Sequence, residues 1–199
     1  MKDLVGSSGT AGAAAATGVT HRLIGHAIVS ADDRIADSAG AYPDDLRNEA
    51  DWALFQSALD RADLVLLGRT SHDAAPNTRG RRRLIVSSQA NGLDQREDGW
   101  WLNPAAIALA DALATLLPCG GEVAVPGGQG VFDLVGASGF AEFHLARNPA
   151  VILPHGRGLF AACETGTPAA KILANGGLGA TPPRIIDTAA KVDLTIWRR

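Results

Sequence analysis

The residues best suited to chemistry in this chain are glycines, arginines and hydroxyls placed directly after short apolar runs. Gly68-Arg69-Thr70 closes the run DLVLL, where a glycine permits close backbone approach and an arginine offers a fork of donors suited to phosphate. Ser87-Ser88 closes a second run, RRLIV, and Gly127-Gly128-Gln129-Gly130 follows a third, EVAVP. Consecutive glycines that open a helix can cradle a pyrophosphate with backbone amides. GGQG lacks the full dinucleotide fingerprint, and the chain has no P-loop lysine. Arg81, Arg82 and Arg83 lead into the second run, where strand alternation lets only one of two neighbours face a given side.

These groups need a scaffold that brings strand ends together. HRLIGHAIVS reads as a strand over about 22–30, followed by an acidic loop. Trp52, Phe55, Leu59 and Ala62 lie on one face of a helix capped by Asn48. DLVLLG and RRLIVSS read as strands buried on both faces, and WWL as a third, brief one. NPAAIALADALATLL reads as a helix with Asn103 as cap, Pro104 in its first turn and Pro118 at its end. GEVAVPGGQGVFDLV gives strand, glycine turn and short helix. One or two strands within FAEFHLARNPAVILP and a closing strand or hairpin in RIIDTAAKVDLTIWRR complete the order. Strand–helix alternation between β-rich ends predicts a mostly parallel sheet covered on both sides by helices.

Composition narrows the function classes. With 46% hydrophobic and 20% charged residues, the 199-residue chain has the balance of one globular domain. A net charge of -3 and the lack of aromatic residues around the arginine run argue against nucleic acid as partner. No apolar run reaches the ~20 residues of a membrane span, and the cytoplasm is the expected compartment. Cys119 and Cys163 are expected as small core hydrophobes. The His residues are not spaced for metal, so none is expected, although His155 sits in a turn within reach of a ligand. The Gly, Ala, Ser and Thr-rich start suggests a flexible leader over residues 1–20 ahead of one domain at 21–199.

The motifs taken in order resemble the dihydrofolate reductase superfamily. LLGRTSHDAAPNTRGRRRLIVSSQ matches its strand, loop and second strand, and VAVPGGQGVFDLV its double-glycine turn. IGHAIVSADDRIAD is similar to its first strand and EADWALF to its first helix. GFAEFHLARNPAVILPHGRGLF is similar to the branch containing the reductase domain of bifunctional riboflavin-biosynthesis enzymes. The resemblance implies a three-layer α/β/α fold and NADPH as cofactor. It places Gly68, Arg69, Thr70, Ser87 and Ser88 at the adenosine phosphate, and Gly127, Gly128, Gln129 and Gly130 at the pyrophosphate.

Further roles are implied by the same resemblance. Asp51 is the candidate acid, four residues before Phe55. Ala27 and Ser30 would line the nicotinamide side, and Asp32, Asp33 and Arg34 the substrate loop. The implied activity is hydride transfer to a small heterocyclic, pterin-like or riboflavin-precursor-like, or carbonyl substrate, with a homodimer by analogy. Four departures leave the substrate open. Pro126 stands where the riboflavin branch has glutamate, Asp32-Asp33-Arg34 replaces Asp-Gly-Lys, Ala141-Glu142 replaces Asp-Glu, and AGAYPDDLRN lacks a tryptophan. They also motivate the alternative of a non-catalytic nucleotide-binding homologue.

Overall fold

The computed structural model describes residues 19–199, so the expected leader lies outside the described residues except for its last two positions. The chain begins with β1 (His21–Ser30) and the short β2 (Arg34–Ala36), followed by α1 (Glu49–Arg61). Next come β3 (Leu64–Gly68), α2 (Arg69–Ala74), β4 (Arg83–Val86), β5 (Leu93–Arg96), β6 (Gly99–Leu102) and α3 (Leu109–Leu116). The second half holds β7 (Gly121–Gly127), α4 (Gln129–Val135), β8 (Glu142–Asn148), β9 (Arg157–Gly158), α5 (Ala161–Glu164) and α6 (Ala169–Asn175). It closes with β10 (Gly179–Ala180), β11 (Arg184–Asp187) and β12 (Val192–Arg198).

The main sheet has the order β10-β12-β8-β1-β7-β3-β4-β6-β5, with β11 paired to β12. Its middle, from β8 to β6, is entirely parallel. Antiparallel strands close both ends, where β12 pairs with β8 and β5 with β6. The expected mostly parallel sheet is therefore present. β2 and β9 form a separate two-stranded ribbon.

Alternation along the central strands sorts side chains onto two apolar layers. Leu23, Leu64, Leu66, Val123, Val125 and Phe143 pack on one face with Leu113 of α3, Phe132 of α4 and Leu173 of α6. On the other face Val65, Leu67, Ile85 and Ala124 pack under Leu59 of α1. Helices thus cover both faces. The ring of Phe143 lies over Gly25, where a Cβ would come within 2.2 Å of it.

Several expected elements differ in detail. α1 starts where Asn48 caps it, but Trp52 is 58% exposed, and the buried residues of the helix are Ala58 and Leu59 near its end. The helix expected from Asn103 begins at Leu109. The Asn103 carbonyl accepts from Ala106 and Ile107, and its side chain accepts from Ala105, so these residues close a turn instead. Cys163 is buried as expected, whereas Cys119 is exposed in the turn after α3. Short β2, β5, β9 and β10 and helices α5 and α6 carried too little periodicity to be read from sequence.

Candidate functional site

The parallel strands end along one edge, and there the sheet opens. β1 pairs with β7 only from His21↔Gly121 to Gly25↔Val125. Beyond that point β1 follows β8 as far as Ser30↔Asn148, while β7 follows β3 to Leu67↔Gly127. A register shift on β7 between Ala124 and Gly127 spans Pro126, which has no N–H to give to a ladder. The two central strands therefore part at their C-terminal ends, where open α/β sheets bind ligands. The Gly127–Gly128 peptide at this opening is cis. Ile35 of β2 comes close to this peptide, its Cδ1 3.9 Å from where a Gly128 Cβ would stand.

Three of the expected phosphate-facing segments leave this edge side by side. Gly68 is in register with Val86 and Leu67 with Gly127, so the segments after β3, β4 and β7 are neighbours. Arg69, Thr70, Ser88 and Gly130 are exposed, and nothing lies within 4 Å of a Cβ placed on Gly130. Among the described residues Arg69 meets only Asp73, at 3.4 Å on its own helix, a contact that takes up one of its donors. Two other members are committed elsewhere. Ser87 is buried and its hydroxyl accepts from the Gln89 amide at 3.1 Å. Gln129 donates to Glu164 at 2.6 Å and to the Gly158 carbonyl at 3.2 Å.

The arginine run stands at the opposite end of β4. Arg79 and Arg81 both pair with Asp60 of α1, and Arg82 reaches the Leu116 carbonyl at 3.3 Å. Arg83 is buried, donating to the Ala75 carbonyl at 2.8 Å beside His72. Arg82 and Arg83 thus stand away from the phosphate-facing edge, with four residues of strand, roughly 13 Å, between Arg83 and Ser87.

Asp51 lies in the first turn of α1, where its amide donates to the Asn48 side chain at 3.1 Å. It lines a small cavity with His26 and Ala27 of β1, Leu54 and Phe55 of α1, His144 of β8 and Leu194 of β12. Burial raises the Asp51 carboxyl to about 6, so both its charged and neutral forms are accessible near neutrality. Burial, then the charges of His144 and Arg61, press His26 down to about 3. Tyr42 is raised to about 12 by burial and by the Asp51 charge.

Ala27 therefore joins Asp51, but the rest of the expected substrate side turns inward. Ser30 is fully buried, donating to Asp32 at 2.6 Å and accepting from the Arg34 amide at 3.0 Å. Asp32 accepts from the Leu153 amide at 3.0 Å. Asp33, at φ 60°, accepts from Arg147 at 2.5 Å and from the Ala169 amide at 3.0 Å. Arg34 Nε and Nη1 are buried with no hydrogen bond among the described residues, and Nε stands 3.9 Å from the Asp32 carboxylate. These side chains brace the loop rather than line the opening. His155 is exposed at φ 60°.

His26 and His144 are the members of the cavity that sequence reasoning missed. They are 118 positions apart, and only the β1–β8 register His26↔His144 makes them neighbours. Among the described residues no three metal-ligating side chains gather into a site. No described helix is long and apolar enough to cross a membrane.

No protein-family model matches the chain, and no curated protein matches it. Solved structures do. A protein described as belonging to riboflavin biosynthesis in Shewanella sp. PV-4 aligns over 89% of this chain and 98% of its own, with 18% identity and a TM-score of 0.62. The diaminohydroxyphosphoribosylaminopyrimidine deaminase/5-amino-6-(5-phosphoribosylamino)uracil reductase of Thermotoga maritima aligns over 90% of this chain, with 14% identity and a TM-score of 0.63. The chain spans 56% of that longer protein. Dihydrofolate reductase from Enterococcus faecalis, complexed with NADP(H) and RAB-propyl, aligns over 91% of this chain and 98% of its own, with 15% identity and a TM-score of 0.62. The fold is dihydrofolate reductase-like, as the order of motifs implied.

Proposed function

We propose that this chain is an NADPH-dependent reductase of a small heterocyclic or carbonyl substrate. The observation that carries this reading is the opening between β1 and β7, flanked by Gly127-Gly128 on one side and the Asp51 cavity nearby. The donor set suits a phosphorylated dinucleotide. Arg69, Thr70 and Ser88 are exposed along one edge and offer a guanidinium and two hydroxyls to a 2'-phosphate. Gly128 and Gly130 leave room for a pyrophosphate to approach the backbone. When bound, the cofactor supplies the hydride.

The protein's own part is to orient the acceptor across the opening, exclude water and provide a proton. Asp51 holds that proton on its carboxyl, in the protonated form that burial favours below about 6. Residues 21–199 are taken as one reductase domain working in the cytoplasm, with a homodimer by analogy to the riboflavin branch. Fluorescence titration tests the reading. NADPH is expected to quench tryptophan emission and to bind at least tenfold more tightly than NADH. Arg69→Ala should remove that preference by weakening NADPH alone. Equal binding of both cofactors, or of neither, would overturn it.

The inward bracing of Asp32 and Asp33 and the burial of Arg34 favour one second reading, a nucleotide-binding homologue without catalysis. NADPH oxidation with any member of a pterin, flavin-precursor and dicarbonyl panel would exclude it.

A further inference from the structure

The α1 face of the sheet is apolar on both flanks and polar in between. Val65, Leu67, Ile85 and Ala124 form one flank, and Ile28, Leu46, Ala146, Val192 and Leu194 the other. Between them His26 and His144 face each other across β1 and β8, with ring centroids 4.8 Å apart. Buried polar rings in such a layer cost stability unless they are partnered. His144 is partnered, with its Nε2 2.5 Å from Glu142 two residues earlier on the same face. Glu142 lies 3.8 Å from the exposed Arg22 guanidinium. His26 is different: burial and charge act on its ring, with no hydrogen bond among the described residues. It opens instead on the cavity that Asp51 lines, whose ~20 Å³ has room for one water.

We propose that Glu142, His144 and His26 form a proton path that returns a proton to Asp51 after it has protonated substrate. The proposal rests on the reductase reading above. The step balances without any electron moving. The Asp51 O–H bond breaks as its proton goes to substrate. The carboxylate then takes a proton, through one water, from the N–H of His26. The two rings stand 4.8 Å apart at their centroids, and as they turn into hydrogen-bond contact the other ring nitrogen of His26 accepts a proton from His144, which recovers one from solvent at its partly exposed edge. Glu142 stabilises the imidazolium that forms there.

Geometry explains why two histidines are needed. A ring buried enough to stay neutral can pass a proton only by receiving on one nitrogen while releasing from the other. His144 stands on one side of it and the Asp51 cavity on the other. The remaining neighbours set the field. Arg22 on β1, Arg61 on α1 and Glu142 on β8 carry charge near the pair. Tyr42, raised first by burial, also lies within the field of the Asp51 charge. Beside the pair, β7 presents Ala124 and β12 presents Leu194 and Ile196, none of them titratable.

Solvent exchange of the His26 ring proton, followed by NMR on ¹⁵N-histidine-labelled full-length protein, tests the path without needing the substrate. His144→Phe should slow that exchange at least tenfold, and His144→Gln should do the same if the phenylalanine variant fails to fold. Asp51→Asn should leave it within twofold, since the route to solvent runs through His144. Exchange unchanged in both His144 variants would overturn the path. NADPH titration of the same samples separates the two claims. Binding with unchanged exchange removes the path and leaves the reductase reading standing. Slowed exchange without NADPH binding removes the purpose assigned to the path, and overturns the proposal as stated.

Discussion

At the residue scale Asp51 and His26 pull the pH dependence in opposite directions. Burial raises Asp51 from 3.8 to about 6, so its contribution to stability is complete below its ordinary value and is lost as pH rises through about 6. His26 falls from 6.5 to about 3, so its contribution is present above its ordinary value and is lost as pH falls towards 3. Asp51→Asn is therefore expected to raise stability at pH 8 by about 2 kcal/mol and to change little at pH 4, as measured by urea unfolding. Allowing for partial exposure of the carboxyl keeps this below the full shift. His26→Gln should flatten the acid limb of the same profile. In turnover, Asp51→Asn is expected to cost on the order of 10²–10⁴ in rate. The wild-type rate should decline above pH 6, where the carboxyl has lost its proton; a rate independent of pH between 5 and 8 would remove Asp51 as the acid.

At the scale of elements, the glycines of the β7–α4 turn separate structure from room for a ligand. Gly127 has φ 93°, and a Cβ there would come within 2.5 Å of the Phe132 ring. Gly127→Ala should therefore destabilise by roughly 2–4 kcal/mol, through both backbone strain and overpacking. Gly130 lies inside α4 with nothing around its Cβ position, so Gly130→Ala should stabilise by about 0.5–1 kcal/mol. Thermal unfolding of the two variants checks the contrast. The glycines were visible in the sequence as a turn signal, and so was Asn48 as a cap. The late start of α3 was not, because Asn103 has two ways to satisfy nearby amides, and the choice depended on Ser88 and Ala90, whose carbonyls accept from its side-chain amide.

At the scale of the molecule, Asp33 ties together parts far apart in the chain. It accepts from Arg147 on β8, 114 positions away, and from the Ala169 amide at the start of α6, 136 positions away. Asp33→Asn keeps a side chain tolerant of φ 60° but removes the half-buried ion pair. It is expected to cost about 1–2 kcal/mol and to raise amide exchange in the first turn of α6. Exchange and stability both unchanged would mean that the loop after β1 is held by Asp32 and Ser30 alone. The acidic net charge of -3 carries its own expectation: a gel shift with duplex DNA at low salt should show no complex, the arginines of 79–83 being tied to Asp60 and to backbone carbonyls.

The sequence by itself determined the parallel core, the cap of α1, the turn after each central strand and the order in which those turns occur. All of these rest on local signals: apolar runs, a capping asparagine, glycines at strand ends. Tertiary structure alone decided which side chains meet. Pairing of β1 with β8 put His26 against His144, early loss of pairing between β1 and β7 opened the edge, and hydrogen bonds to Leu153, Arg147 and Ala169 drew Asp32 and Asp33 inward. The reason is physical. Register and long-range hydrogen bonds depend on which strands lie side by side, and no window of neighbouring residues carries that information.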